Sequence, residues 1–200
     1  MNENPPSNPE QPQRTAVKVP ESLATGAYAT SMVVTHGREE FVLDFLATFA
    51  PPPRLASRVL LSPPHAKRLA NALRENVGLY EKGFGALPLP NAQQAAHTVQ
   101  ARDFYSSLQI ADAQLAGAYS NNVMIRHSRE EFVMDFLASF PPAAIVVARI
   151  LVSPPHILRV TNALEARIRI YEDAFGKIGE LPPPPETPDS PDSGPRFKIL

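Results

Sequence analysis

Apolar and polar positions alternate along the first part of the chain and then change period. Val17 and Val19 flank Lys18 at the spacing of a short strand. Gly26 breaks the chain, and residues 28–35 (YATSMVVT) are rich in β-forming types. His36-Gly37-Arg38 reads as a turn. In residues 39–49 (EEFVLDFLATF), Phe41, Leu43, Phe45, Ala47 and Phe49 share one face of a predicted strand. Val42, Asp44 and Leu46 share the other. Pro51-Pro52-Pro53 ends that strand, and residues 55–62 (LASRVLLS) form the next, with Arg58 and Val59 facing opposite ways. The period then lengthens. Ser62 before Pro63 is a helix start, and Ala66, Leu69, Leu73, Val77, Tyr80 and Phe84 recur every three or four residues as one helical stripe. Gly85 is a C-terminal stop.

The whole pattern occurs twice. Residue i matches residue i+91 without a gap, and residues 26–87 are identical to 117–178 at 29 of 62 positions. Ser62-Pro63-Pro64-His65 returns as Ser153-Pro154-Pro155-His156, and Tyr80-Glu81 as Tyr171-Glu172. The second helical stripe is Ile157, Val160, Leu164, Ile168, Tyr171 and Phe175, with Gly176 as its stop. Upstream, Val17-Lys18-Val19 aligns with Leu108-Gln109-Ile110. The predicted fold is α+β: two homologous β-β-β-β-α units, each an antiparallel sheet with one C-terminal helix on one face. Two copies are too few for a solenoid and suggest a fused pseudo-dimer.

Composition sharpens the boundaries. Eleven of the 23 prolines fall in residues 1–14 and 182–200. Those segments are polar and aperiodic, so both are expected to be disordered. The division is a tail at 1–14, a first repeat at 15–88, a linker at 89–105 that is a candidate short helix, a second repeat at 106–179, and a Pro-rich tail at 180–200. The chain has 200 residues and a formal net charge of −1, so no overall positive field draws it to nucleic acid or an anionic membrane. It has no cysteine, which excludes disulfides, thiolate catalysis and cysteine zinc sites. The N-terminus lacks the basic and apolar regions of a secretory signal, and no apolar run reaches the roughly 18 residues of a spanning helix. A cytoplasmic protein is expected.

The motifs resemble those of a bacterial domain family of unknown function. Its signature is an aromatic-small-Asn start, an EF-x-LDF strand, an R-x-x-x-SP-x-HAK junction and a helix ending YE-x-x-FG. The first repeat carries YATSMVV, EEFVLDF, RVLLSPPHAKRL and LYEKGFGAL; the second carries YSNNVMI, EEFVMDF, RILVSPPHILRV and IYEDAFGKI. Thr30 stands where Asn is typical, and Ile157-Leu158 replaces the Ala-Lys of HAK. The usual member resembles one such unit, so the tandem form departs from it. The resemblance implies a fold and no activity. At the level of fold alone, a sheet followed by a helix is also similar to the export chaperone SecB.

Four groups of residues are candidates for chemistry. Asp44 and Arg58, with Asp135 and Arg149, face each other on adjacent strands, as a ligand-binding pair or as cross-strand ion pairs; the second reading is preferred. His36, Glu39 and Glu40, with His127, Glu130 and Glu131, have metal-ligand types, but hairpin turns give no converging third ligand. His65 and His156 open their helices and could act as general bases, although a helix N-terminus disfavours the imidazolium. Lys67, Arg68 and Arg74 give the first helix a basic side suited to nucleic acid. No catalytic or metal residue is assigned from these patterns, and no cofactor is expected.

The remaining signal is apolar. Each helix covers one sheet face, leaving Val42, Leu46 and Leu60, with Val133, Leu137 and Leu151, in need of cover. These six are the expected interaction surface, for repeat-on-repeat packing or for a protein partner. The final residues, Arg196, Phe197, Lys198, Ile199 and Leu200, are an expected docking peptide on a proline spacer. The predicted function is a non-enzymatic interaction module, an adaptor or chaperone-like subunit. Nucleic-acid binding through the first helix is the alternative, and a metal protein or enzyme is third.

Overall fold

The computed structural model describes residues 17–87 and 105–179. Both expected tails and nearly all of the linker lie outside the described residues; residues 105–107 are helical. The first repeat contains β1 (Val17–Lys18), a 3₁₀ turn at Glu21–Leu23, β2 (Ala27–Ala29), β3 (Ser31–His36), β4 (Phe41–Ala47), β5 (Arg54–Leu61) and α1 (Pro63–Phe84). The second contains α2 (Asp112–Leu115), β6 (Ala118–Tyr119), β7 (Asn122–His127), β8 (Phe132–Phe140), β9 (Ala143–Val152) and α3 (Pro154–Phe175).

Both long helices start at the Pro after the expected N-cap Ser. The Ser side chain does not cap a backbone amide there. Pro at the first two positions removes donors a cap would bind, and Ser62 Oγ bonds His65 Nδ1 at 2.6 Å instead. Ser153 and His156 repeat the contact at 2.6 Å. The helices end at Gly85 and Gly176, whose φ of 93° and 91° favours glycine.

Each repeat supplies an antiparallel meander, β3-β4-β5 or β7-β8-β9. The N-terminal arms cross over. β1 and β2 of the first repeat run parallel to β9 of the second, pairing Val17 with Ala144 and Tyr28 with Leu151. Reciprocally, β6 runs parallel to β5, pairing Tyr119 with Leu60, and Gln109 bridges to Arg54. The chain changes sheet between β2 and β3: Thr30 N–H already donates to Leu46 O in the other sheet. Asn121 N–H does the same to Leu137 O. The sheets are therefore antiparallel meanders extended by parallel strands borrowed from the other repeat.

The helices cross over as well. α1 packs against β7 and α3 against β3, and the two helices pack on each other. One apolar core spans both repeats, built from Phe41, Leu43, Phe45, Val59 and Leu61, their counterparts, and the helical stripes. Phe45 and its counterpart Phe136 meet in it with ring centroids 5.7 Å apart. Neither repeat encloses a core alone, as expected for a four-strand sheet with one helix.

Candidate functional site

Crossing arms explain the charged residues. Asp44 is buried, with 1% of its surface exposed. Arg58 Nε and Nη2 donate to its two oxygens at 2.7 and 2.9 Å, and Arg58 Nη1 donates to Leu115 O on the arriving arm at 3.0 Å. Arg149 holds Asp135 at 2.6 and 3.0 Å and reaches Ala24 O at 2.9 Å. The ion-pair reading holds, with a further role: each arginine ties the other repeat's arm to its own sheet. A bidentate fork with a spare donor suits Arg and not Lys. Hydrogen bonding to Asp44 raises the Arg58 pKa, and hydrogen bonding to Asp135 raises that of Arg149. Tyr105 also donates to Asp44 at 2.6 Å, and burial followed by that bond pushes its phenol up to about 12. Gly26 and Gly117 let the arms lie close: a Cβ on Gly26 would sit 2.3 Å from Leu151 Cδ1, at a φ of +68°.

The histidine turns form aromatic clasps. His36 lies 5.4 Å from Phe41 and from Tyr171, and 6.1 Å from Phe175, between ring centroids. Arg38 stacks over Phe175, and Tyr171 hydroxyl donates to Arg38 O at 2.8 Å. His127, Phe132, Tyr80, Phe84 and Arg129 repeat the arrangement, with Tyr80 hydroxyl 2.9 Å from Arg129 O. Burial lowers the His127 pKa, and its Nδ1 has no hydrogen-bond partner among the described residues. Among the described residues, no three His, Asp or Glu side chains converge as a metal site.

His65 lines a hollow with Leu61, Arg68, Leu69, Asn121, Asn122, Val123 and Phe136 that has room for about one water. Burial, then nearby Arg68, lowers its pKa. The basic side of α1 is largely engaged: Lys67 Nζ donates to Glu172 at 3.2 Å and Ile178 O at 2.9 Å, and Arg74 pairs with Glu165.

Two of the six expected surface residues are already covered within the chain. Leu46 and Leu137 are 1% and 2% exposed. The extra residue of each nearby bulge is on the partner strand, Ala56 in β5 and Val147 in β9, so Leu46 and Leu137 keep their outer facing. Leu137 packs with Ala144, Val146 and the crossing arm's Leu23. The other four stay half-buried on the outer sheet faces. They stand in two cross-strand rows: Thr35, Val42, Leu60 and Tyr119 on one sheet, Arg126, Val133, Leu151 and Tyr28 on the other. Tyr28 and Tyr119 are 45% and 48% exposed. Each tyrosine arrives on the exchanged arm, so each row contains residues of both repeats. The sequence reading missed these tyrosines, and the exposed Phe49 and Phe140 at the hairpin tips. The signal for the tyrosines was identity between copies outside the core stripes; Phe49 continued the core face in the alternation but lies past the end of β4. Arg196–Leu200 lie outside the described residues.

A family model described as "Protein of unknown function (DUF3467)" matches residues 1–89 and again 91–180. The chain belongs to this family. It carries the DUF3467 unit twice. No curated protein and no solved structure matches. Among the described residues, no helix is long and apolar enough to cross a membrane.

Proposed function

We propose that this tandem DUF3467 chain is a non-enzymatic protein-interaction module, an adaptor or chaperone-like subunit of a bacterial cytoplasmic assembly. It works without a cofactor, and its partner docks on the outer sheet faces. One observation carries this reading. Val42 and Val133, Leu60 and Leu151, and Tyr28 and Tyr119 are identical between the copies, although the copies differ at more than half of their aligned positions. The row ends next to them diverge, Thr35 against Arg126. Half-buried apolar rows closed by a tyrosine are the surface type from which protein interfaces are built.

The test is affinity capture from native lysate with three chains: full length, Tyr28→Ser with Tyr119→Ser, and a chain lacking 180–200. A stoichiometric protein held by the first and third, and at least about tenfold weaker for the second, supports the reading. Loss only with the tail moves the docking site to Arg196–Leu200. Nuclease-sensitive nucleic acid without a protein partner contradicts it.

A further inference from the structure

We propose that the two repeats are a matched pair, the first selecting the second in preference to a second copy of itself. The observation is a charge reversal at the centre of the helix pair. Arg74 and Glu165 occupy equivalent positions, 91 residues apart, and face each other across α1 and α3. Arg74 Nε donates to Glu165 Oε1 at 2.9 Å, and Nη2 engages Oε2. A position that meets its own counterpart lies on the pseudo-two-fold axis. Two first repeats paired in this way would set Arg74 against Arg74, and two second repeats would set Glu165 against Glu165. Only the mixed pair converts the contact into a bidentate bond. The reversal stands beside unchanged helix: Asn71-Ala72-Leu73 is identical to Asn162-Ala163-Leu164.

A second contact works against one of the two wrong pairs. Lys67 reaches Glu172 Oε1 on the last turn of α3 and Ile178 O just beyond that helix. Running from 67 to 172 and from 74 to 165, the contacts set the helices antiparallel. The counterpart of Lys67 is Leu158. A pair of second repeats would therefore leave Glu172 opposite Leu158, whereas a pair of first repeats would set Lys67 opposite Glu81 at both ends, so only the Arg74–Glu165 contact disfavours that pair. Phe45 against Phe136 is neutral, being the same residue in every pairing. The shared core drives association, and the helix charges choose the partner.

The test cuts the folded full-length chain at a protease site inserted within residues 89–104. Native mass spectrometry of the cut protein is expected to show a one-to-one complex of the two fragments. The fragments are then unfolded in urea, mixed with isotopically labelled fragments and refolded at low salt. The mixed pair is expected at about threefold or more above the random partition, falling as salt rises. Arg74→Glu removes the excess, and Arg74→Glu combined with Glu165→Arg restores it. A random partition, or an excess unchanged by Arg74→Glu, overturns the proposal. If the fragments fail to refold, the parent chain, Arg74→Glu, Glu165→Arg and the double variant are unfolded as uncut chains. Restoration by the double variant is then expected, and additive losses overturn the proposal.

Discussion

Asp44 and Asp135 are the costliest residues to leave without a partner, because each is a carboxylate almost wholly inside the protein. Their facing arginines were legible in the sequence, since the alternation puts Asp44 and Arg58 on one sheet face. The arginines' third bond, to a carbonyl of the other repeat's arm, was not: it depends on a crossing that alternation does not encode. Leu46 and Leu137 show the same limit. Alternation placed them on the outer face in need of cover, but could not show that the cover over Leu137 is Leu23 of the other repeat's arm. The two Asp–Arg pairs also differ in what remains after truncation of the arginine. Among the described residues, Asp135 keeps a charged partner, Arg126 Nη2 at 2.9 Å, whereas Asp44 keeps the neutral Tyr105 hydroxyl. Arg58→Ala is therefore expected to cost about 3 kcal/mol or more, and Arg149→Ala clearly less. Urea unfolding of both variants checks the order; equal costs would mean that the second partners do not matter.

At the scale of elements, the Y-E-x-x-F-G ending acts as one device. Tyr80 and Tyr171 bond the opposite repeat's hairpin, Phe84 and Phe175 stack with its His and Arg, and glycine turns the chain back. Glu81 and Glu172 then receive the amides of Leu87 and Ile178, both buried. The helix extent and its glycine stop were legible in the sequence; the clasp was not, because its partners come from the other copy. The clasp should respond to acid. Burial lowers the folded pKa of His127 below its ordinary 6.5, as it does for His65 and His156. The unfolded chain then binds more protons just below pH 6.5, so stability is full above that pH and declines as pH falls through it. His127→Phe keeps an aromatic ring and removes the proton site. Its unfolding free energy should fall less steeply between pH 7 and 5.5, with the residual slope left by His65 and His156. An unchanged slope would mean that His127 is not held neutral.

For the molecule as a whole, the duplication at offset 91 predicted a pseudo-dimer, and the family match and the structure agree. The sequence could not reveal how deeply the halves are exchanged. A strand's periodicity states which face is buried and not which sheet it joins. The proposed docking rows depend on this exchange, because Tyr119 completes the first repeat's sheet and Tyr28 the second's. The chain has no cysteine, so engineered pairs report without background. The decisive measurement is oxidative cross-linking of two double-cysteine variants under native conditions. Lys18→Cys with Ile145→Cys joins positions paired across repeats, and Lys18→Cys with Arg54→Cys joins the equivalent positions within one repeat. Exchange predicts a rapid intramolecular disulfide in the first variant and none in the second. The reverse result would place each arm on its own sheet and contradict both the intertwined fold and the surface built on it.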